Sequence, residues 1–334
     1  MRNASQVGAV ASVQTAGIRD LTYSQVNPVG VPGPAGFAYV KSIVVTNGGA
    51  SQLANYAAMV TVAYVAGKMK TDFSDIRFTL DGSIIPLACW RRAYTASSTA
   101  EFWVNIPTLA TGTTTINLFY GNAAAATTSS IQGTFPVFAD DFEAGDAAML
   151  AAWTRTGITP AYDGNTSVQW SAKTSYQSVA GSAMRGTYTL QLDGHYGGVV
   201  GSTEYAYDAK AFRQFSVPAG SYRLEFLQQG MMGSSSYDVI RVTFSNVTDA
   251  TTLTQWRYGA GDSSLACGEN ITLSAVTSKT YDFTLAATKT LKFEGVAHGG
   301  GWAASLFLDD IFIRNYPATA PTVGAAGVEQ GATG

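Results

Sequence analysis

From Phe37 onward the chain alternates apolar and polar residues with a period of two. Tyr56, Ala58, Val60, Val62 and Tyr64 form the cleanest series, the spacing a half-buried strand needs because successive side chains leave opposite faces. Phe37, Tyr39, Ile43 and Val45 form a looser one, interrupted by Lys41. Ile76–Leu80 runs into Asp81-Gly82 and then Ser83–Leu87. An Asp-Gly pair between two β-rich runs predicts a hairpin, since a tight primed turn needs positive φ at its centre. Glu101–Ile106 and Thr115–Tyr120 complete a strand set joined by short turns, and no long helix is needed. This pattern predicts a sandwich in its own right.

The second half repeats the pattern with its own punctuation. Arg213–Val217 leads to the turn Pro218-Ala219-Gly220-Ser221, after which Tyr222–Phe226 alternates cleanly. Val239, Val242 and Phe244 follow, then Tyr281–Leu285, Leu291–Glu294 and a closing run from Leu306 to Ile313. Strands of this length between Gly and Ser turns favour a jelly roll. The chain therefore reads as all-β: two β-sandwich, jelly-roll-like domains over 37–135 and 136–316, with an extended N-terminal arm over 1–36. The arm ends in Gly30-Val31-Pro32-Gly33-Pro34, a turn-rich linker. It either lies on a neighbouring subunit or is disordered, and the sequence leaves both open. Residues 317–334 are mostly Ala, Thr, Gly and Pro, which predicts a flexible C-terminal tail.

Composition narrows the partners. Of 334 residues only 13% are charged, about half the usual share, and the 20 Lys+Arg against 23 Asp+Glu leave a formal net charge of -3. No basic stripe is available to neutralise phosphates, so nucleic acid is excluded as an expected partner. No segment has the unbroken apolar length of a membrane span. The opening residues Met1–Gln6 lack the apolar stretch of a secretory signal, which predicts export by another route or assembly inside a cell and release with a particle. Cys89 and Cys267 fall in different halves and form no CxxC pair, so both are expected as buried free thiols.

Three spaced blocks carry a resemblance. Met69–Phe78, Trp103-Val104-Asn105-Ile106-Pro107 and Phe119-Tyr120-Gly121-Asn122 resemble the domain-of-unknown-function family 2341 of bacterial, archaeal and phage surface proteins, over roughly residues 38–135. The usual Trp-x-Tyr-Arg opening is replaced here by Ala38-Tyr39-Val40-Lys41. The resemblance implies a β-sandwich and a surface setting, and no chemistry. The second unit is similar to galactose-binding-like carbohydrate-binding modules. It shares an opening acidic Phe-Glu, a Trp soon after, the Val-Pro-Ala-Gly-Ser-Tyr strand entry and a final Leu-Asp-Asp-Ile strand.

Two acidic clusters frame that unit, Asp140-Asp141-Phe142-Glu143 and Asp309-Asp310. In extended strands Asp141 and Glu143 share one face about 7 Å apart, and Asp309 shares a face with Phe307, Ile311 and Ile313. A buried carboxylate needs a partner, and clustered oxygens suit Ca²⁺. The resemblance to jelly rolls with a structural Ca²⁺ implies Asp141, Glu143 and Asp309 as its ligands. The other reading is that these acids accept hydrogen bonds from turn amides or stand at exposed strand ends. For sugar, exposed aromatics beside polar side chains make stacking platforms, and Trp256, Tyr258 and Trp302 are the candidates; the alternative is core packing.

No HExxH, GxSxG or helix-opening glycine loop occurs, so no catalytic residue is assigned. The expected function is a non-enzymatic structural and surface-binding protein. A phage virion component ranks first: a tail, fibre or capsid accessory protein forming homo-oligomers through its arm and facing glycans on the virion surface. The alternatives are a secreted or cell-surface carbohydrate-binding protein and a filament subunit assembled by strand donation.

Overall fold

A computed structural model describes residues 30–157, 170–174, 184–200, 203–232, 239–259, 274–299 and 303–334. In chain order the strands of the first unit are Val31–Pro32 (β1), Tyr39–Asn47 (β2), Leu53–Ala63 (β3), Arg77–Leu80 (β4), Cys89–Thr95 (β5), Thr99–Leu109 (β6) and Gly112–Tyr120 (β7). A short helix, Ile131–Thr134 (α1), leads to Phe138–Asp140 (β8), the helix Asp146–Ala152 (α2), Thr154–Gly157 (β9) and Trp170–Thr174 (β10). Then come Tyr188–Val200 (β11), Thr203–Val217 (β12), Gly220–Met232 (β13), Val239–Asn246 (β14), Thr251–Gly259 (β15), Thr277–Leu285 (β16), Lys289–Gly299 (β17) and Ala303–Asn315 (β18). Two last strands, Thr322–Val323 (β19) and Glu329–Thr333 (β20), close the chain. The all-β expectation is met, and no helix among the described residues is long and apolar enough to cross a membrane, which says nothing about strands.

The first sandwich faces the sheet β1-β20-β2-β7-β4 against the sheet β3-β6-β5. Ile43, Val60, Phe78, Phe102, Val104 and Leu118 fill the space between them. The Asp81-Gly82 turn forms where the sequence puts it, with Gly82 at φ +71°. The returning arm, however, makes only one bridge, Pro86 opposite Thr79. Proline lacks the N–H a ladder needs, and Ile84 and Ile85 remain exposed.

Residues 317–334, expected as a flexible tail, are instead part of this sheet. Val323 pairs with Val45, and Glu329 and Gly331 pair with Lys41 and Tyr39. Composition misled because backbone ladders need few large side chains; the missing contacts come from Glu329, whose carboxylate accepts from Lys68 Nζ and from Tyr120 Oη at 2.5 Å. The end of the expected arm is built in as well: β1 runs parallel to β20, Val31 opposite Ala332. Gly33 lies so close to Phe119 that a Cβ there would sit 2.1 Å from the ring. Residues 1–29 of the arm lie outside the described part.

In the second sandwich one layer is β15-β14-β17-β12 with β9 on β12, and the other is β16-β13-β18-β11 with β10 on β11. The β11–β12 hairpin carries hydrogen bonding from one layer to the other. Leu224, Phe226, Ile240, Phe244, Phe293 and Leu306 form its core.

A third cluster joins the two units. On β6, Phe102, Val104 and Ile106 point into the first core, so Trp103 takes the opposite face, where Trp90 of β5 is its cross-strand partner. Both pack with Ala57, Ile131 and Phe135 against Ala139 and Phe312 of the second unit. Phe135 and Phe312 stack at 4.2 Å, and the Arg314 guanidinium lies 5.0 Å above the Trp103 ring. Residues 102–106 of β6 are continuously buried because both faces of the strand are covered there.

Two predictions follow from this packing. Deleting residues 327–334 lowers the Tm by about 5 °C or more and raises amide exchange at Tyr39–Lys41, whereas loss of a free tail would change neither. Phe312→Ala costs about 3–5 kcal/mol in denaturant unfolding, and calorimetry resolves two transitions once the shared cluster is opened.

Candidate functional site

The acidic clusters meet, but through a strand geometry the alternation rule does not give. Along β18, Ile313 lies opposite Leu224 and Phe312 opposite Glu225, yet Asp309 lies opposite Leu227. One extra residue is therefore inserted in β18, a bulge, with Asp310 at φ 47°. Leu306 and Leu308 face the core before it and Ile311 and Ile313 after it. The expected grouping of Asp309 with Ile311 and Ile313 is thus corrected: Asp309 stays on the side of Phe307, and the bulge re-phases the strand. On its other edge β18 pairs with β11 up to Leu308 and with β8 from Ile311. The aspartates occupy the gap where one neighbour hands over to the other.

The sharing of a face by Asp141 and Glu143 is corrected for a similar reason. Strand β8 stops at Asp140, and Phe142 turns at φ 56°. Each acid then finds a protein donor. Asp140 accepts from Trp153 Nε1 at 2.8 Å, from the Phe142 amide at 3.0 Å and from Arg213 at 3.1 Å. Glu143 Oε1 takes the amides of Thr187 and Tyr188 at 2.7 and 2.8 Å, tying the turn to the start of β11. Gly186, at φ +73°, permits this; a Cβ there would lie 2.2 Å from that oxygen. Asp309 accepts from the Asp310 amide at 2.8 Å, and Asp310 is bridged by Arg185 at 2.7 Å.

These bonds match the turn-amide reading of the acids. Asp141, Glu143 and Asp310 do line one cavity of about 240 Å³, together with Trp90, Arg92 and Arg185. Yet no group of three or more His, Cys, Asp or Glu among the described residues is arranged to hold a metal ion. The residues expected as Ca²⁺ ligands, Asp141, Glu143 and Asp309, each accept a backbone amide through one carboxylate oxygen.

The electrostatics are tense all the same. Burial, and then the neighbouring charges of Asp310, Glu143 and Asp141, push the Asp309 carboxyl well above the usual carboxylate range. Burial raises Asp310 to about 6, with Arg185 opposing. Asp141 is raised by burial as well.

The aromatic candidates separate. Trp256 packs edge-on against Phe226 at 4.9 Å and serves the core. Trp302 lies outside the described residues. Tyr258 stands at the mouth of the second sandwich, where it lines a cavity of about 140 Å³ with Gln228, Gln229, Ser274, Thr277 and Lys279. Lys279 Nζ sits 5.2 Å from the centre of the Tyr258 ring.

The two glutamines are residues the sequence reading missed. The inward series Leu224, Phe226 of β13 continues into Gln228, an amide where an apolar residue is due. Gln228 is 3% exposed and Gln229 1%. Gln229 Nε2 donates to the Ser274 carbonyl at 2.8 Å, and the Ser274 hydroxyl accepts from the Gly230 amide at 3.0 Å. The Oε1 atoms of both glutamines have no hydrogen-bond partner among the described residues. A buried acceptor left unpaired costs about 1–3 kcal/mol, so two in adjacent residues mark a place where donors belong. The signal in the sequence was the Gln-Gln pair inside an otherwise clean strand.

Residues 72–156 match the family described as "Domain of unknown function (DUF2341)". The match thus starts later than the resemblance read from residues 38–135, and runs across the expected unit boundary into the acidic turn. No curated protein matches. Among solved structures the chain is similar to the carbohydrate-binding module TmCBM61 in complex with β-1,4-galactotriose: 14% identity, 53% of this chain and 94% of that one, TM-score 0.31. It is similar too to the K1 cleaved adhesin domain of Lys-gingipain from Porphyromonas gingivalis W83, at 16% identity, covering 54% and 98%, TM-score 0.33. A third is the enzymatically active domain of bacteriophage CBA120 tailspike protein 4, at 8% identity, covering 57% and 22%, TM-score 0.32. At these scores, function has to be read from the site's own residues.

A carboxyl that is more basic in the folded chain than in the unfolded one binds protons the unfolded chain has released, so stability falls as pH rises between about 4 and about 6. In metal-free buffer the Tm is accordingly higher at pH 4.5 than at pH 7.5. Asp309→Asn flattens that slope and melts above the parent at pH 7.5. A Ca²⁺-dependent rise in Tm that Asp309→Asn abolishes would show instead that an ion completes the cluster.

Proposed function

We propose that this chain is a non-enzymatic glycan-binding protein, and that the second sandwich holds the sugar at the mouth formed by Gln228, Gln229, Tyr258 and Lys279. The observation that carries the reading is that Gln228 and Gln229, each with a buried amide oxygen unpartnered among the described residues, line one cavity with Tyr258. Sugar hydroxyls supply the missing donors, and the ring offers its apolar surface to sugar C–H groups. Ser274, Thr277 and Lys279 add the short polar contacts that fix orientation in such cavities. Trp256 holds the wall from behind through Phe226.

The reading carries the setting anticipated from the sequence: display on a phage virion, with secreted or cell-surface display as the alternative. A sugar on a host or a neighbouring cell is reached from outside, and a low-charge β-sandwich suits that exposure.

A glycan array probed with the full-length chain gives at least one specific hit. Tyr258→Ala and Gln228→Leu each weaken the hit about tenfold or more while circular dichroism is unchanged. An array without hits, or hits indifferent to both substitutions, overturns the assignment.

A further inference from the structure

The first sandwich is open along one side. Strand β3 ends its sheet, with β6 on one edge and no strand among the described residues on the other. Between that free edge and the loop Val323–Ala326 lies a slot of about 480 Å³ that reaches core residues Ile43, Val60, Val62 and Leu118. The loop leaves it open. Gly324 and Gly327 donate to the carbonyls of Val44 and Ser42, but no ladder pair forms between Val323 and Glu329. Met59 is 43% exposed at the rim and Val328 80% beside it. An apolar slot next to an unpaired strand edge is what β-sandwiches ordinarily cover, because the edge otherwise pairs with whatever strand arrives.

The chain itself offers a strand of the right kind. Twenty-nine residues precede Gly30. Among them Val7-Gly8-Ala9-Val10-Ala11-Ser12-Val13-Gln14-Thr15-Ala16-Gly17-Ile18 has no charge, and its small and β-branched side chains suit a narrow slot. The approach is favourable too. Because β1 runs parallel to β20, Gly30 is at the end of β1 that lies toward Glu329, and Glu329 pairs with Lys41 of the slot. Residues 19–29 reach as far as about 36 Å when extended, ample for the slot of their own chain or of a neighbour's.

We propose that the slot is a strand-accepting site, and that its occupant is the segment of residues 7–18 of this chain, paired along the free edge of β3 with its apolar side chains in the slot. Backbone hydrogen bonds then supply affinity, and the pockets along β3 select small residues at alternate positions. Donation from a neighbouring copy gives an assembly, and docking within one copy gives a closed monomer.

The test uses the full-length chain. With Thr61→Cys and Ala11→Cys introduced together, mild oxidation followed by peptide mass mapping is expected to find the 11–61 disulfide. A bond within one chain identifies self-docking, a bond between chains with a matching mass by light scattering identifies donation, and either supports the proposal. Val10→Asp combined with Val13→Asp, which places a charge on both faces of the segment, is expected to raise amide exchange at Met59–Ala63 about tenfold or more. Exchange in β6 stays as in the parent, which controls for folding. If no 11–61 bond forms, and Met59–Ala63 exchange equally in the parent and in the double Asp variant, the proposal is wrong. Glycan binding by the second sandwich does not enter this readout.

Discussion

One inserted residue in the closing strand organises the second half of the molecule. Without the bulge at Asp310, Asp309 and Ile311 would share a face, and the strand would have to bury either a carboxylate or a break in its apolar series. With it, Leu306, Leu308, Ile311 and Ile313 all reach the same core, while Phe312 is free to face the first unit. The bulge also marks where β18 changes neighbour from β11 to β8. A strand that exchanges partners leaves amides without a ladder, and the aspartate side chains stand where those amides are. The acids are therefore the local chemistry of a topological change.

That arrangement explains the number of acids and the nature of their partners. Asp140 lies beneath Trp153 and Arg213, Glu143 across the entry to β11, and Asp310 against Arg185. Asp309, fully buried, is left with an amide at 2.8 Å and the Thr189 hydroxyl at 3.4 Å. Its raised proton affinity follows from that shortage of positive charge. An open cation site and a protein-satisfied clasp draw on the same residue types; here amides or arginines meet Asp140, Glu143 and Asp310, while the donors that Asp309 finds among the described residues are neutral.

The same logic, inverted, picks out the mouth of the sandwich. Burying an acceptor is tolerable when a donor meets it. Gln228 and Gln229 are buried, with one oxygen each unmet among the described residues. A ligand rich in hydroxyls is expected at the mouth. The slot beside β3 is a third case, in which the unmet groups belong to a strand edge and the complement is another strand.

The sequence by itself determined the fold class, the Asp81-Gly82 turn and the presence of two acidic clusters, since period-two patterning and turn chemistry are local. It named Trp256 and Tyr258 alike, and both pack against the second core, Tyr258 bordering a cavity as well; an aromatic on a strand reads the same in either setting. The Gln-Gln pair was visible in the sequence; that its oxygens are buried without a partner among the described residues shows only in the fold. The C-terminal residues looked too small to pack, and their role came from backbone pairing with β2, which leaves little compositional trace. The bulge was the deciding case. Alternation predicts faces only while the register holds, and whether one strand keeps its register is settled by the three strands beside it.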